Sequence, residues 1–143
     1  MSEAKKNIVW LASYPKSGNT WFRIFLSNLF SDSPQAANIN NLNETTISSN
    51  RIIIDSYLGI HSSELTAEEI DKLRPQVFKR FSAEKEETAY IKTHEAWTLN
   101  SKGIPIFPEE ITKGVLYIIR NPLDIAISYS FHNNETIDNQ GTQ

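Results

Sequence analysis

Lys16, Ser17 and Thr20 stand close together around Gly18 and Asn19, in the run Ser13-Tyr14-Pro15-Lys16-Ser17-Gly18-Asn19-Thr20-Trp21. The lysine supplies a point charge, the hydroxyls supply donors, and the glycine lets the backbone approach closely. If the run leaves a strand and opens a helix, its N–H groups and the positive end of the helix dipole converge on one spot, and anions bind there. The string is not a Walker loop, because the lysine precedes the glycine and the six-position glycine spacing is absent. A second set is Arg120 and Ser128. An arginine at a strand tip and a serine on the following helix can meet on one phosphate, the first with a planar fork of donors and the second with one more. The third set is Lys92-Thr93-His94. An imidazole, with an ordinary pKa of about 6.5, suits proton transfer at neutral pH. Glu95 follows it, a carboxylate expected to bear on the imidazole.

The elements that must position these groups are read from pattern. Ile8-Val9-Trp10-Leu11-Ala12 is a short continuous apolar run that suits a strand buried on both faces of a parallel sheet. From Thr20, the residues Trp21, Phe22, Ile24, Phe25, Leu26 and Leu29 wind around a helix expected to be mostly buried. Residues 31–50 are polar and read as a surface loop, and 51–58 are compatible with strand or helix. Thr66 with Glu69 makes a capping box for a helix that Pro75 should interrupt, with a further helix over 76–83. Residues 88–91 read as a strand delivering Lys92, Thr93 and His94 at its end. Residues 114–119 form the strongest strand, and Asn121-Pro122 then caps a last helix. The tail, 133–143, is expected to fray. Strands alternating with helices imply one α/β domain whose ligand lies outside the carboxyl ends of the strands.

Composition narrows the partners. The 143 residues fit one domain, and a net charge of -3 means that an anion site must be local, so nucleic acid is not an expected partner. There is no cysteine, hence no disulfide, thiolate nucleophile or cysteine-ligated metal. No apolar run approaches the roughly 20 residues needed to span a bilayer, and the first residues lack the features of a secretory signal, so a cytoplasmic location is expected. The acceptor sequences Asn43-Glu44-Thr45 and Asn134-Glu135-Thr136 are then expected to stay unglycosylated. His61 and His132 have no chemical context, and Trp10 and Trp97 read as core or rim aromatics.

Tyr14-Pro15-Lys16-Ser17-Gly18-Asn19-Thr20-Trp21 resembles the 5'-phosphosulfate loop of sulfotransferases that use 3'-phosphoadenosine 5'-phosphosulfate (PAPS). The stretch from Arg120 to Ser128 resembles that family's 3'-phosphate motif, and Lys92-Thr93-His94 its catalytic segment. The resemblance implies a parallel-sheet, P-loop-like α/β core. It also implies that Lys16 contacts the bridging oxygen between phosphate and sulfonate, that Ser17, Gly18, Asn19 and Thr20 line the phosphate, and that Trp21 lies against the adenine. His94 would be the base, Lys92 would help hold the sulfonate, and Arg120 and Ser128 would hold the 3'-phosphate. The donor is then PAPS, the product 3'-phosphoadenosine 5'-phosphate (PAP), no metal is required, and the acceptor is a small molecule with a hydroxyl or amine.

The family continues past this point with core helices and a C-terminal basic segment, so the chain is expected to be a partial sulfotransferase domain. It is expected to bind nucleotide weakly, to show little transfer by itself and to form a homodimer through apolar surface left open. Two other readings stay open: a PAP- or PAPS-binding fragment without turnover, and a phosphoryl-transfer enzyme of the P-loop class. The latter would want a metal-binding carboxylate at the end of its apolar strand, where this chain has Arg120.

Overall fold

The computed structural model describes residues 5–39, 42 and 45–133. Four strands, β1 (Ile8–Ser13), β2 (Thr45–Ile47), β3 (Ala89–Thr93) and β4 (Thr112–Ile118), form one sheet in the order β2-β3-β1-β4, and every pairing is parallel. The helices are α1 (Asn19–Phe30), α2 (Arg51–Leu58), α3 (Ala67–Glu84) and α4 (Pro122–Asn133). The expected α/β fold is thus present. β1 is central and carries the most buried run, with Ile8, Trp10 and Leu11 almost completely enclosed. The core on one side of the sheet joins Ile8, Trp10 and Ile91 to Phe78 of α3 and to Ile106, Phe107 and Ile111. A second cluster, Ile54, Ile70 and Val77, packs α2 on α3.

Four expectations change. The loop over 31–50 contains β2, a three-residue edge strand. Tertiary pairing with β3 decides its conformation, because so short a segment carries no period of its own. The ambiguous 51–58 stretch is α2, capped by the Asn50 side chain on the Ile52 N–H and closed by Gly59 in the left-handed region. Pro75 does not interrupt its helix: α3 runs continuously through it from the predicted Thr66–Glu69 capping box. Proline removes the donor that would have met the Asp71 carbonyl four residues back, and the Asn100 side-chain amide donates to that carbonyl instead, at 3.3 Å. Finally, α1 is not mostly buried: Trp21, Phe25, Leu29 and Phe30 are exposed.

The Asn121 cap holds as expected, its side chain accepting from the Leu123 N–H at 3.0 Å. Apart from Asn133 the expected tail lies outside the described residues, as do Asn43, Glu44 and all of Asn134-Glu135-Thr136.

Candidate functional site

The parallel register brings the carboxyl ends of three strands level. Leu11 lies opposite both Lys92 and Leu116, Ala12 opposite Thr93, and Ser13 opposite Ile118. The segments leaving β1, β3 and β4 therefore start side by side at the edge where open α/β sheets bind ligands.

The first segment is a tight turn in which the Ser17 N–H donates to the Tyr14 carbonyl at 3.2 Å. Lys16 has φ 64 and Gly18 has φ 98. The left-handed conformation costs a residue with a Cβ about 1–2 kcal/mol, and such strain gathers at functional sites. Gly18 is the N-cap of α1 and has no side chain to occupy the first-turn N–H groups, which leaves them facing the loop. Ser17 is buried, and among the described residues its hydroxyl has no hydrogen-bond partner. An unsatisfied buried hydroxyl costs about 1–3 kcal/mol, and an anion oxygen is the kind of acceptor that would remove that cost. Asn19 fixes the helix to the strand, its amide donating to the Leu11 carbonyl at 2.9 Å and the Ser13 hydroxyl at 3.1 Å.

The second segment carries His94, whose Nδ1 is 2.7 Å from the Ser13 carbonyl. A carbonyl only accepts, so Nδ1 holds the proton and Nε2 of the neutral ring keeps its lone pair. Burial pushes the Lys92 ammonium below its ordinary pKa, and the charges of Arg23 and Lys16 push it in the same direction. The Glu95 carboxylate makes no hydrogen bond to His94. It turns instead to Arg74, Ser48 and Thr93, so the expected effect on the imidazole has no direct contact to carry it.

The third segment brings Arg120 across to the first, with Nη1 donating to the Lys16 carbonyl at 3.1 Å. Lys16, Gly18, Asn19, Thr20, Lys92, His94, Arg120 and Ser128, with Pro15, line a single concavity of about 370 Å³. Eight of the ten residues singled out in the sequence thus share one site. The other two do not line it: Ser17 is buried, and Trp21 is 70 % exposed and stacks on Phe25 at 6.1 Å. A larger concavity, about 780 Å³, sits at the opposite end of the strands between Lys5, Glu87, Tyr90 and Lys113 and contains none of these residues.

Two contributors were not apparent in the sequence. Arg23 lies one helical turn beyond Asn19, a spacing that places it on the same face, and its charge acts on Lys92. Ser13 orients His94 through its main-chain carbonyl, for which no side-chain motif exists. Among the described residues no group of three or more His, Asp or Glu is placed to hold a metal ion, and no helix is long and apolar enough to cross a membrane.

Cations, a glycine turn and a helix N-terminus thus converge at the strand ends of an α/β protein. A family model of the sulfotransferase domain matches residues 6–142, and the chain belongs to that family. No curated protein matches it.

Proposed function

We propose that the chain binds PAPS in this concavity and transfers its sulfonate to a hydroxyl or amine of a small-molecule acceptor. Sulfonate transfer in general follows from the family; the donor and the residue roles are our reading. The observation that carries it is the Arg120–Lys16 contact, which sets the two phosphate motifs against each other with Lys92 and His94 on the same wall.

In this reading the first-turn N–H groups of α1, the Ser17 and Thr20 hydroxyls and Lys16 hold the 5'-phosphosulfate, while Arg120 and Ser128 hold the 3'-phosphate. His94 Nε2 takes the proton of the acceptor as the acceptor atom bonds to sulfur and the bond from sulfur to the bridging phosphate oxygen breaks. Lys16 donates to that departing oxygen, where negative charge develops, and Lys92 holds the sulfonate oxygens. The lone pair of Nε2 is available because the Ser13 carbonyl occupies the Nδ1 proton. At the end of its apolar strand the chain carries Arg120, an anion ligand, where a phosphoryl-transfer enzyme would want a metal-binding carboxylate. A second reading, nucleotide binding without turnover, is favoured by the exposure of His94 and Arg120, which leaves water at a site where transfer needs it excluded.

Titration calorimetry with PAP and a radiolabelled-sulfonate transfer assay over phenols, alcohols and amines test this. Lys16→Ala should weaken PAP about tenfold or more, since hydrogen bonds to charged groups contribute about 1.5–3 kcal/mol. His94→Ala should leave PAP affinity intact and reduce transfer by about 10²–10⁴. Unchanged PAP affinity in Lys16→Ala removes the loop from the site. Transfer by wild type that His94→Ala does not reduce removes the base, and PAP binding with no transfer to any acceptor selects the second reading.

A further inference from the structure

Beside the strand end that carries His94 lies an ion pair, buried on its arginine side, that neither the sequence motifs nor the proposed chemistry uses. Arg74 of α3 is 3 % exposed. Its guanidinium lies over the rings of Phe78 and Phe107, at 5.6 and 5.7 Å from their centroids. Nη1 donates to Glu95 Oε1 at 2.7 Å and Nη2 donates to Oε2, a two-pronged contact, and Nη1 also reaches Asp71 at 3.2 Å. Burial disfavours charge on both Arg74 and Glu95. The pair's mutual attraction and hydrogen bonds outweigh it, so that the arginine is held above its ordinary pKa and the carboxylate below.

Glu95 gathers the neighbouring elements around this pair. Its carboxylate accepts from the Ser48 hydroxyl at 3.1 Å, and the Ser48 N–H donates to the Lys92 carbonyl at 2.8 Å. The Glu95 N–H donates to the Thr93 hydroxyl at 3.1 Å, a side-chain turn that spans His94. The backbone of His94 is thus held from one side by Arg74 through Glu95, while its ring is held from the other by the Ser13 carbonyl. A planar fork that is doubly hydrogen-bonded to a carboxylate and rests against a stacked pair of aromatic rings has one orientation, so it can transmit a fixed position where a lysine could not.

We infer that the Arg74–Glu95 pair is a positioning element for His94, setting the strand-end turn so that Nδ1 meets the Ser13 carbonyl and Nε2 faces the concavity. The catalytic consequence rests on the reading of His94 as the base; the placement of the ring does not.

The test uses Arg74→Met, which keeps an apolar side chain against the two rings without the fork, and Glu95→Gln, which keeps the shape and removes the charge. The chain has three histidines, so His94 is assignable in long-range ¹H–¹⁵N spectra of the neutral rings by substituting the other two. Wild type should show a single tautomer with the proton on Nδ1. Both variants, with far-UV circular dichroism and PAP affinity like wild type, should populate both tautomers and lose about a hundredfold in kcat for sulfonate transfer, the scale expected for a displacement of about 1 Å. Arg74→Lys, which keeps the charge, should not restore the wild-type spectrum. Folded variants that retain the single tautomer overturn the inference. If Arg74→Met fails to fold, Glu95→Gln decides alone, because that side chain is 38 % exposed and its replacement is tolerable to the core. Tautomer averaging in the variants, combined with full transfer by His94→Ala, supports the positioning and sinks only the base assignment.

Discussion

On the α3 side of the sheet, Trp10 meets Phe78 and Phe107 edge-on, at 5.1 and 4.7 Å between ring centroids, and its indole N–H donates to the Thr112 hydroxyl at 2.9 Å. On the β4–α4 side, Leu123, Ile127 and Phe131 recur every four residues along α4 and all stand exposed, Phe131 to 81 %. Tyr117 and Ile119 beside them are exposed as well. Both regions carry large apolar side chains, yet only one is enclosed. The candidate site straddles the boundary. Lys92 and His94 leave a strand anchored in the enclosed half, whereas Arg120 and Ser128 ride on the open half. The protein therefore holds the proposed chemical groups through its core and the proposed 3'-phosphate ligands through its rim.

That contrast can be broken by mutation. Phe78→Ala removes a ring from the enclosed cluster and should cost about 3–5 kcal/mol in denaturant unfolding, while Phe131→Ala, which leaves nothing unfilled, should change stability by no more than about 0.5 kcal/mol. Equal effects would mean that the two halves are not differently packed. Gly18→Ala sits at the seam. A Cβ there meets no atom within 4 Å, so any cost comes from the left-handed backbone at φ +98, about 1–2 kcal/mol. The same substitution should weaken PAP in calorimetry by pulling the first-turn N–H groups out of line. A stability equal to wild type would show that the turn does not need its glycine.

The smallest effect concerns protons. The Lys92 pKa is depressed, first by burial and then by Arg23 and Lys16. A bound anion favours the charged ammonium and raises that pKa back toward its ordinary value, so PAP binding at alkaline pH should take up a fraction of a proton from solution. Calorimetry in buffers of different ionisation enthalpy reads this directly. Proton release, or none at any pH, would place Lys92 away from the anion.

Much of this architecture was legible in the residues. The apolar runs around Trp10 and Val115 announce β1 and β4, and Pro15 and Gly18 announce the turn between β1 and α1, because both residues punctuate the chain locally. Pro75 misled because the partner that rescues the Asp71 carbonyl, Asn100, comes from a distant loop. β2 was hidden because its order comes from pairing with β3 rather than from its own composition. The exposure of α1 was invisible for a related reason: an apolar helix face says that it can be buried, not that something covers it. Glu95 looked like a partner for its neighbour His94, but Arg74, twenty-one positions earlier, is the group that reaches it.

In the proposed reading Lys16 and Arg120, brought together by the 3.1 Å contact between Arg120 Nη1 and the Lys16 carbonyl, form one site for a nucleotide phosphorylated on the 3' and 5' oxygens of its ribose. Calorimetric titration of PAP against 5'-AMP, on wild type and on Arg120→Ala, tests it most directly. PAP should bind wild type at least about tenfold more tightly than 5'-AMP, the factor expected from a charge-assisted contact of about 1.5 kcal/mol or more, and Arg120→Ala should remove most of that preference. Equal binding of the two nucleotides by wild type, or a preference that Arg120→Ala leaves intact, would contradict the assignment.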